Sequence, residues 1–406
     1  MIYSSLEKQA NAAWKCSWEK FFSYDTHLFY DYLTDNDPAK RYAHLPTPEE
    51  IANEIPNRTS WNAGMEDSSI NAGIMLEAVI NRYQVTHEPE MREAALEIFK
   101  GIRTCTHISP VRGFLARSVS PFDGKSFYPE SSRDQYTHIV QGLYRFYNSP
   151  LCTESERQEI REMLSAFCDF MTETVTPETD YTFATSDGKP ACGICKVWNR
   201  NAWADARLPM FYAAAWATTG EEKYRQKFEE YANEAVDRTL TMPAITIEGF
   251  LQYQIQCSLE VIRDVAVGDE PLRKKCEKAM CMVAELGVFY AWQTRHQEEK
   301  TDFSILHTDW REAKDFYGEP PHRIPLFAPE IKRAFEVLRN SFETVIVQFM
   351  APGWQFSDFQ KKLMFSRMAE IDFDQCANSG VLYAAAAYWK GRACGAISAE
   401  EAEAPL

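Results

Sequence analysis

A ten-residue pattern returns three times in this chain, and the segments that flank it restrict the fold. Thr86-His-Glu-Pro-Glu-Met-Arg-Glu-Ala-Ala95, Thr219-Gly-Glu-Glu-Lys-Tyr-Arg-Gln-Lys-Phe228 and Val267-Gly-Asp-Glu-Pro-Leu-Arg-Lys-Lys-Cys276 each read as a turn that opens a helix. Acidic residues at the start of that helix suit the positive end of its dipole. An apolar, aromatic helix precedes each copy, near 68–83, 203–218 and 250–266. A charged amphipathic helix follows, near 89–103, 221–236 and 271–286. Two more units fit with longer turns: the helix around Asp134 with 154–173, and 329–349 with a final apolar helix near 378–390. Residues 6–22 add one more, so the pattern predicts roughly eleven or twelve helices.

A hairpin of this kind cannot bury its apolar face alone and must stack on its neighbours, as an open solenoid or as a closed ring. Two features favour the ring. The first helix of each pair is apolar nearly all round, as a helix enclosed by protein should be. The connections are also unequal, with long aromatic insertions at 106–131, 172–198 and 294–329. Loops of that length are uncommon unless they bind something or are disordered, and their aromatic content argues against disorder. Asp123-Gly124, between apolar runs, predicts a small β-hairpin at the mouth of the ring. The tail 398–406 is expected to fray. No boundary divides the chain, which reads as one domain over 1–406.

Composition excludes some functions. The net charge of −16 argues against nucleic acid, whose phosphates need a basic surface, and against docking on anionic membranes. No run of about 18 apolar residues predicts a membrane span. The start Met1-Ile-Tyr-Ser-Ser-Leu-Glu-Lys-Gln lacks a secretion signal, so a cytoplasmic location is expected, or a periplasmic one if a leader has been removed. Eleven scattered cysteines suggest reduced thiols. Cys192-Gly-Ile-Cys195 is a lone CxxC without the further ligands of a structural zinc, and nothing in the sequence calls for a metal or cofactor.

Three polar clusters fall where apolar helices begin. The first is Trp61-Asn-Ala-Gly-Met-Glu-Asp-Ser-Ser-Ile-Asn71, in which Asp67 and Asn71 share a helix face. The second is Ser131-Ser-Arg-Asp-Gln-Tyr-Thr-His138; here Asp134, His138, Gln141 and Arg145 form one polar stripe, which requires bulk water or a wet cavity. The third is Trp198-Asn-Arg-Asn-Ala-Trp-Ala-Asp205, where Asn201 and Asp205 share a face. Asp67 is equally suited to cap its helix, and Asp134 to complement a dipole. Pro209 kinks the third helix or marks its true start, which weakens Asp205. His138 also fits a structural histidine, and His307 a solvated loop. Trp61, Trp198 and Tyr136 offer flat faces for a sugar or, alternatively, for core packing.

The repeated hairpins, with Gly64-Met-Glu-Asp67 and Ser132-Arg-Asp-Gln-Tyr136 at successive helix starts, resemble the six-hairpin glycosidase superfamily. The distant similarity is to its unsaturated glucuronyl and rhamnogalacturonyl hydrolases. This resemblance implies an all-α fold, an (α/α)6 toroid of helical hairpins with acids at its mouth, and a glycoside hydrolase acting on a short, uronic-acid-containing or plant-derived oligosaccharide. Hydrolysis needs one carboxyl group to protonate the leaving oxygen and another to activate water or attack the sugar. Asp67 and Asp134 are the expected pair, with Glu66 as a substitute. Expected substrate contacts are Trp61, Asn62, Glu66, Asn71, Arg133, Tyr136, His138, Trp198, Asn199, Arg200 and Asp205. Two rivals stand beside this reading. One is a polysaccharide lyase with Tyr136, His138 and Arg133 as base and cation. The other is a non-catalytic sugar-binding protein.

Overall fold

The computed structural model describes residues 5–242, 247–298 and 301–406. Among them the first helices are α1 (Leu6–Cys16), α2 (Pro48–Ala52), α3 (Ser68–Thr86), α4 (Glu90–His107), α5 (Arg133–Tyr147), α6 (Glu154–Thr174) and α7 (Arg207–Thr219). They are followed by α8 (Glu222–Leu240), α9 (Gly249–Val265), α10 (Glu270–Glu298), α11 (Pro329–Met350), α12 (Asp358–Glu370), α13 (Val381–Ala393) and α14 (Ala399–Glu403). Two antiparallel two-stranded ribbons complete the list, β1 (Phe22–Ser23) with β2 (Leu28–Phe29) and β3 (Asp315–Tyr317) with β4 (Ile324–Leu326).

Helices α3, α5, α7, α9, α11 and α13 each pack on the next, and α13 returns to α3, closing a ring. Helices α4, α6, α8, α10, α12 and α1 lie outside it, each against an inner helix. The fold is an all-α (α/α)6 toroid. Burial explains the two layers. Every residue of α3 from Ser68 to Asn81 is buried, whereas α8 buries one stripe, Tyr224, Phe228, Ala232, Ala235, Val236 and Thr239. A helix enclosed by protein must be apolar on most sides, and one facing water on one side only.

The contact between α3 and α5 is the tightest element of the ring's geometry. A Cβ on Gly73 would lie 2.3 Å from the His138 carbonyl oxygen, and one on Gly142 would lie 3.1 Å from Gly73 Cα. Backbone therefore meets backbone at this seam. The same seam brings the residues just before α3 beside the first turn of α5.

The ring axis is closed by charge partway along. Glu77 of α3 accepts from Lys390 of α13 (2.6 Å) and from Gln141 of α5 (3.1 Å). Glu260 of α9 accepts from the same Gln141 (2.9 Å) and pairs with Arg145 at 3.7 Å. The Tyr253 hydroxyl donates to Glu77. The polar stripe of α5 thus faces the axis, but its lower half is consumed by this plug instead of lining a wet cavity.

Several expectations are corrected. No strand forms at Asp123-Gly124; the Asp123 carboxylate accepts from the Lys125 and Ser126 amides and folds a turn on itself. The ribbon in the long insertions is β3–β4. The tail does not fray: Ser398 and Glu401 form a capping box, Ala402 is buried, and Glu401 pairs with Lys361 at 2.8 Å. Helix α12 was not anticipated, and α10 runs twelve residues past the expected end at 286 to Glu298. No helix of the described residues is long and apolar enough to cross a membrane.

Candidate active site

The segment Gly64-Met-Glu-Asp67 enters α3 through a turn that only glycine fits. Gly64 has φ +83°, and a Cβ there would stand 2.7 Å from Leu45 and 2.8 Å from the His44 ring. The turn aims two amides at the carboxylate of Asp31, which follows β2. The Glu66 N–H donates to it at 2.6 Å and the Asp67 N–H at 3.3 Å. Asn71, on the next turn of α3, donates to it at 3.5 Å.

Asp31 therefore accepts amides that lead into α3, and the Asp67 side chain makes no capping bond although Asp67 is the cap residue by position. Asp67 instead accepts from Gln135 Nε2 at 3.2 Å, with Arg117 at 3.6 Å and Arg339 at 4.0 Å. Glu66 accepts from the Asn62 amide (3.1 Å) and from Arg117 Nη2 (3.3 Å). Glu66 and Asp67 thus share Arg117, and Arg339 stands beside Asp67 alone of the two. Burial, and then the charge of Asp67, push the Glu66 carboxyl up to about 7. Burial, then Asp67 and Glu66, raise Asp31 as well, against the pull of its two amide donors.

Asp134 stands in the first turn of α5, whose start is capped by Ser132. It accepts from Arg207 Nη2 at 3.3 Å, and Arg133 Nε is 3.8 Å away. Arg207 also donates to Gln254 of α9 and to the Trp203 carbonyl; burial lowers its guanidinium to about 10. On α11, Arg339 donates to Glu343 at 2.7 Å and lies 5.3 Å from the Tyr383 ring. Burial pushes Glu343 up to about 7, with Arg339 opposing.

Water reaches the acids but hardly reaches the arginines. Side-chain exposure is 26% for Glu66, 18% for Asp67 and 19% for Asp134, against 4% for Arg117 and 1% for Arg207. Around these acids, Arg117 Nη1, Arg133 Nε, His138 Nε2, Arg207 Nε, Gln254 Nε2 and Glu343 Oε2 are buried without a hydrogen-bond partner in the protein. Buried polar atoms are nearly always paired.

The first two polar clusters of the sequence come together here, through Asn62, Glu66, Asp67, Asn71, Arg133 and Asp134. Trp61 is half-buried, 6.1 Å from the ring of His322. The third cluster is elsewhere in character. Trp198 packs on Tyr231 and under Arg238. Asp205 accepts from the Arg200 and Asn201 amides and from Arg238, and Asn199 binds the same Arg238. Arg200 is exposed. These residues clamp a loop because α7 begins only at Arg207, so Arg207, not Asp205, meets the acids.

Tyr136 is also a packing residue: its hydroxyl donates to the Gly113 carbonyl and accepts from the Leu115 amide, fully buried. His138 is buried against Tyr253, and burial lowers its imidazole to about 3, so it stays neutral. The elimination chemistry assigned to Tyr136 and His138 meets two fully buried groups, a tyrosine hydroxyl committed to backbone and an imidazole that burial makes a weak proton acceptor. His307 is stacked on Tyr32 at 3.6 Å and is not a solvated loop residue.

Asp31, Arg117, Gln135, Arg207, Gln254, Arg339 and Glu343 were not singled out from sequence. Arg339 and Glu343 carried a usable signal, an i,i+4 ion pair just before the apolar run Val345-Ile-Val347. Asp31, alone in an aromatic loop, carried none.

No known family pattern matches the chain, and no curated protein does. Among solved structures it is similar to a sugar epimerase from a ruminal bacterium, at 11% identity over 88% of this chain and 85% of that one, TM-score 0.47. It is similar to a D-mannose isomerase at 11% identity over 94% and 96%, TM-score 0.45. A family 76 glycoside hydrolase from a bovine Bacteroides thetaiotaomicron strain matches at 12% identity over 95% and 78%, TM-score 0.44. Likeness at this level assigns no residue a role.

Proposed function

We propose that this protein is a carbohydrate-active enzyme, a glycoside hydrolase acting on a short and acidic saccharide. One observation carries the reading: Glu66, its carboxyl raised to about 7, adjoins Asp67, and the two share Arg117, while Asp67 also accepts from Gln135 and has Arg339 at 4.0 Å. Two acids with unlike surroundings are what proton donation and water activation require. Glu66 delivers the proton to the leaving oxygen. Asp67 or Asp134, each against a guanidinium, supplies the carboxylate that activates water or attacks the sugar. Arg117, Arg133 and Arg339 give acidic substituents their counter-charge. An isomerase working through an imidazole finds less support, because His138 is fully buried and burial makes its imidazole a weak proton acceptor.

The test is a panel of neutral and uronate-containing oligosaccharides, followed for new reducing ends and for ultraviolet-absorbing double bonds. Hydrolysis predicts the first without the second. Glu66→Gln, Asp67→Asn and Asp134→Asn are each assayed for kcat and for binding. The acid and the true base lose about 10²–10⁴-fold in kcat while still binding. A panel with no cleavage, or three variants with unchanged turnover, removes the reading.

A further inference from the structure

The three long insertions converge at a second cluster. Glu130 closes the first, Cys192 lies in the second, and His322 follows β3 in the third. One carboxylate oxygen, one thiol sulfur and one imidazole nitrogen from these residues all lie within 4.8 Å of one another. Glu130 is fully buried, while Cys192 and His322 are half-buried, so the cluster is open on one side.

We propose that Glu130, Cys192 and His322 form a binding site for a zinc-type divalent transition-metal ion. Ligand atoms about 2.0–2.3 Å from a tetrahedral ion stand about 3.3–3.8 Å apart, so closing the cluster on zinc draws the widest pair together by about 1 Å. A set of one oxygen, one sulfur and one nitrogen suits zinc or its neighbours, not calcium or magnesium, which take oxygen. Three protein ligands leave a fourth position for water.

The surroundings fit a cation. Arg58 donates to Glu130 at 2.9 Å and is shared with Glu54 and Asp187, and Lys189 pairs with the same two. Three carboxylates against two cations leave the neighbourhood short of positive charge. Arg58 also fixes the orientation of the Glu130 carboxylate, as partners behind a metal ligand do. His322 Nε2 and Glu130 Oε1 are 2.8 Å apart, a hydrogen bond that the ion would replace. Binding exchanges the Cys192 thiol proton, released to solvent, for a sulfur–metal bond, with no change of oxidation state. The Cys195 thiol neighbours Cys192 but is buried and donates to the Ser131 carbonyl at 3.3 Å.

The ion would pin the β3–β4 ribbon over the acids. Asn62 joins the two regions: its side chain donates to the Pro325 carbonyl at 2.8 Å, and its amide donates to Glu66. The site would therefore hold the third insertion against the rim of the mouth.

The full chain, reduced and stripped with a chelator, is titrated with cobalt(II). One equivalent should produce a thiolate-to-cobalt charge-transfer band that zinc(II) abolishes by competition. Cys192→Ser should lose the band, and His322→Ala should weaken cobalt affinity by about tenfold or more. Cys195→Ser and Cys394→Ser should keep it. Helical circular dichroism confirms that each variant is folded; His322, on an exposed ribbon, is the variant least able to disturb the ring. No band at one equivalent, or a band that survives Cys192→Ser, overturns the proposal. A band that instead vanishes with Cys195→Ser overturns it too, because the ion then belongs to the cysteine pair. None of these readouts depends on saccharide cleavage.

Discussion

At the residue scale, the acids owe their character to what their backbones do. Asp31 accepts the Glu66 and Asp67 amides, so Asp67 is released from capping and Glu66 is held close beside a second acid. If Glu66 is the proton donor, activity falls as pH rises through about 7, and Glu66→Gln abolishes that alkaline limb; a pH–rate profile of both proteins checks it. The same shift works against stability at high pH. The folded form holds the Glu66 proton up to about 7, whereas an unfolded Glu releases it near about 4.3. Stability from this group is therefore complete below ~4.3 and is lost as pH climbs towards about 7. Much of this corner was legible in Gly64-Met-Glu-Asp67, because a glycine before acids at a helix start restricts the backbone. Asp31 was not legible: it reaches the site by a fold-back that no local pattern announces.

At the scale of elements, the α3–α5 seam decides whether the acids of neighbouring helices face one another. Gly73→Ala places a methyl group 2.3 Å from a backbone oxygen that cannot rotate away. It should destabilise the protein by about 1–3 kcal/mol or more, read as a lowered denaturation midpoint. Apolar periodicity was a good guide to helix existence and a poor one to helix ends. The start of α7 was placed four residues early because Trp203-Ala-Asp205 looks helical; Pro209 was the better marker, since proline is tolerated in a first turn. The short α14 carried a readable signal, Ser398-Ala-Glu-Glu401, a capping box that offsets its small length.

At the scale of the whole molecule, the closed ring was legible because hairpins with all-apolar inner helices have few other ways to bury them. The charged plug was legible only on α5, where Gln141 belongs to the polar stripe; its partners Glu77, Glu260 and Lys390 are distributed over three other helices and each alone resembles a surface residue. Lys390→Met leaves Glu77 and Glu260 buried without their shared cation and should cost about 3–5 kcal/mol, measured by denaturant unfolding. Although burial alone would raise Glu260, Lys390 and Arg145 hold it down to about 2. This contribution is present above about 4.3 and is lost as pH falls towards about 2, so acid unfolding should begin in that window and begin earlier in the variant. The plug also imposes an order on biosynthesis. Lys390 lies 313 residues beyond Glu77, on the last inner helix to leave the ribosome. Until then the nascent arc carries two facing acids short of their ammonium partner, so a chain ending before α13 should stay protease-sensitive however much helix it contains.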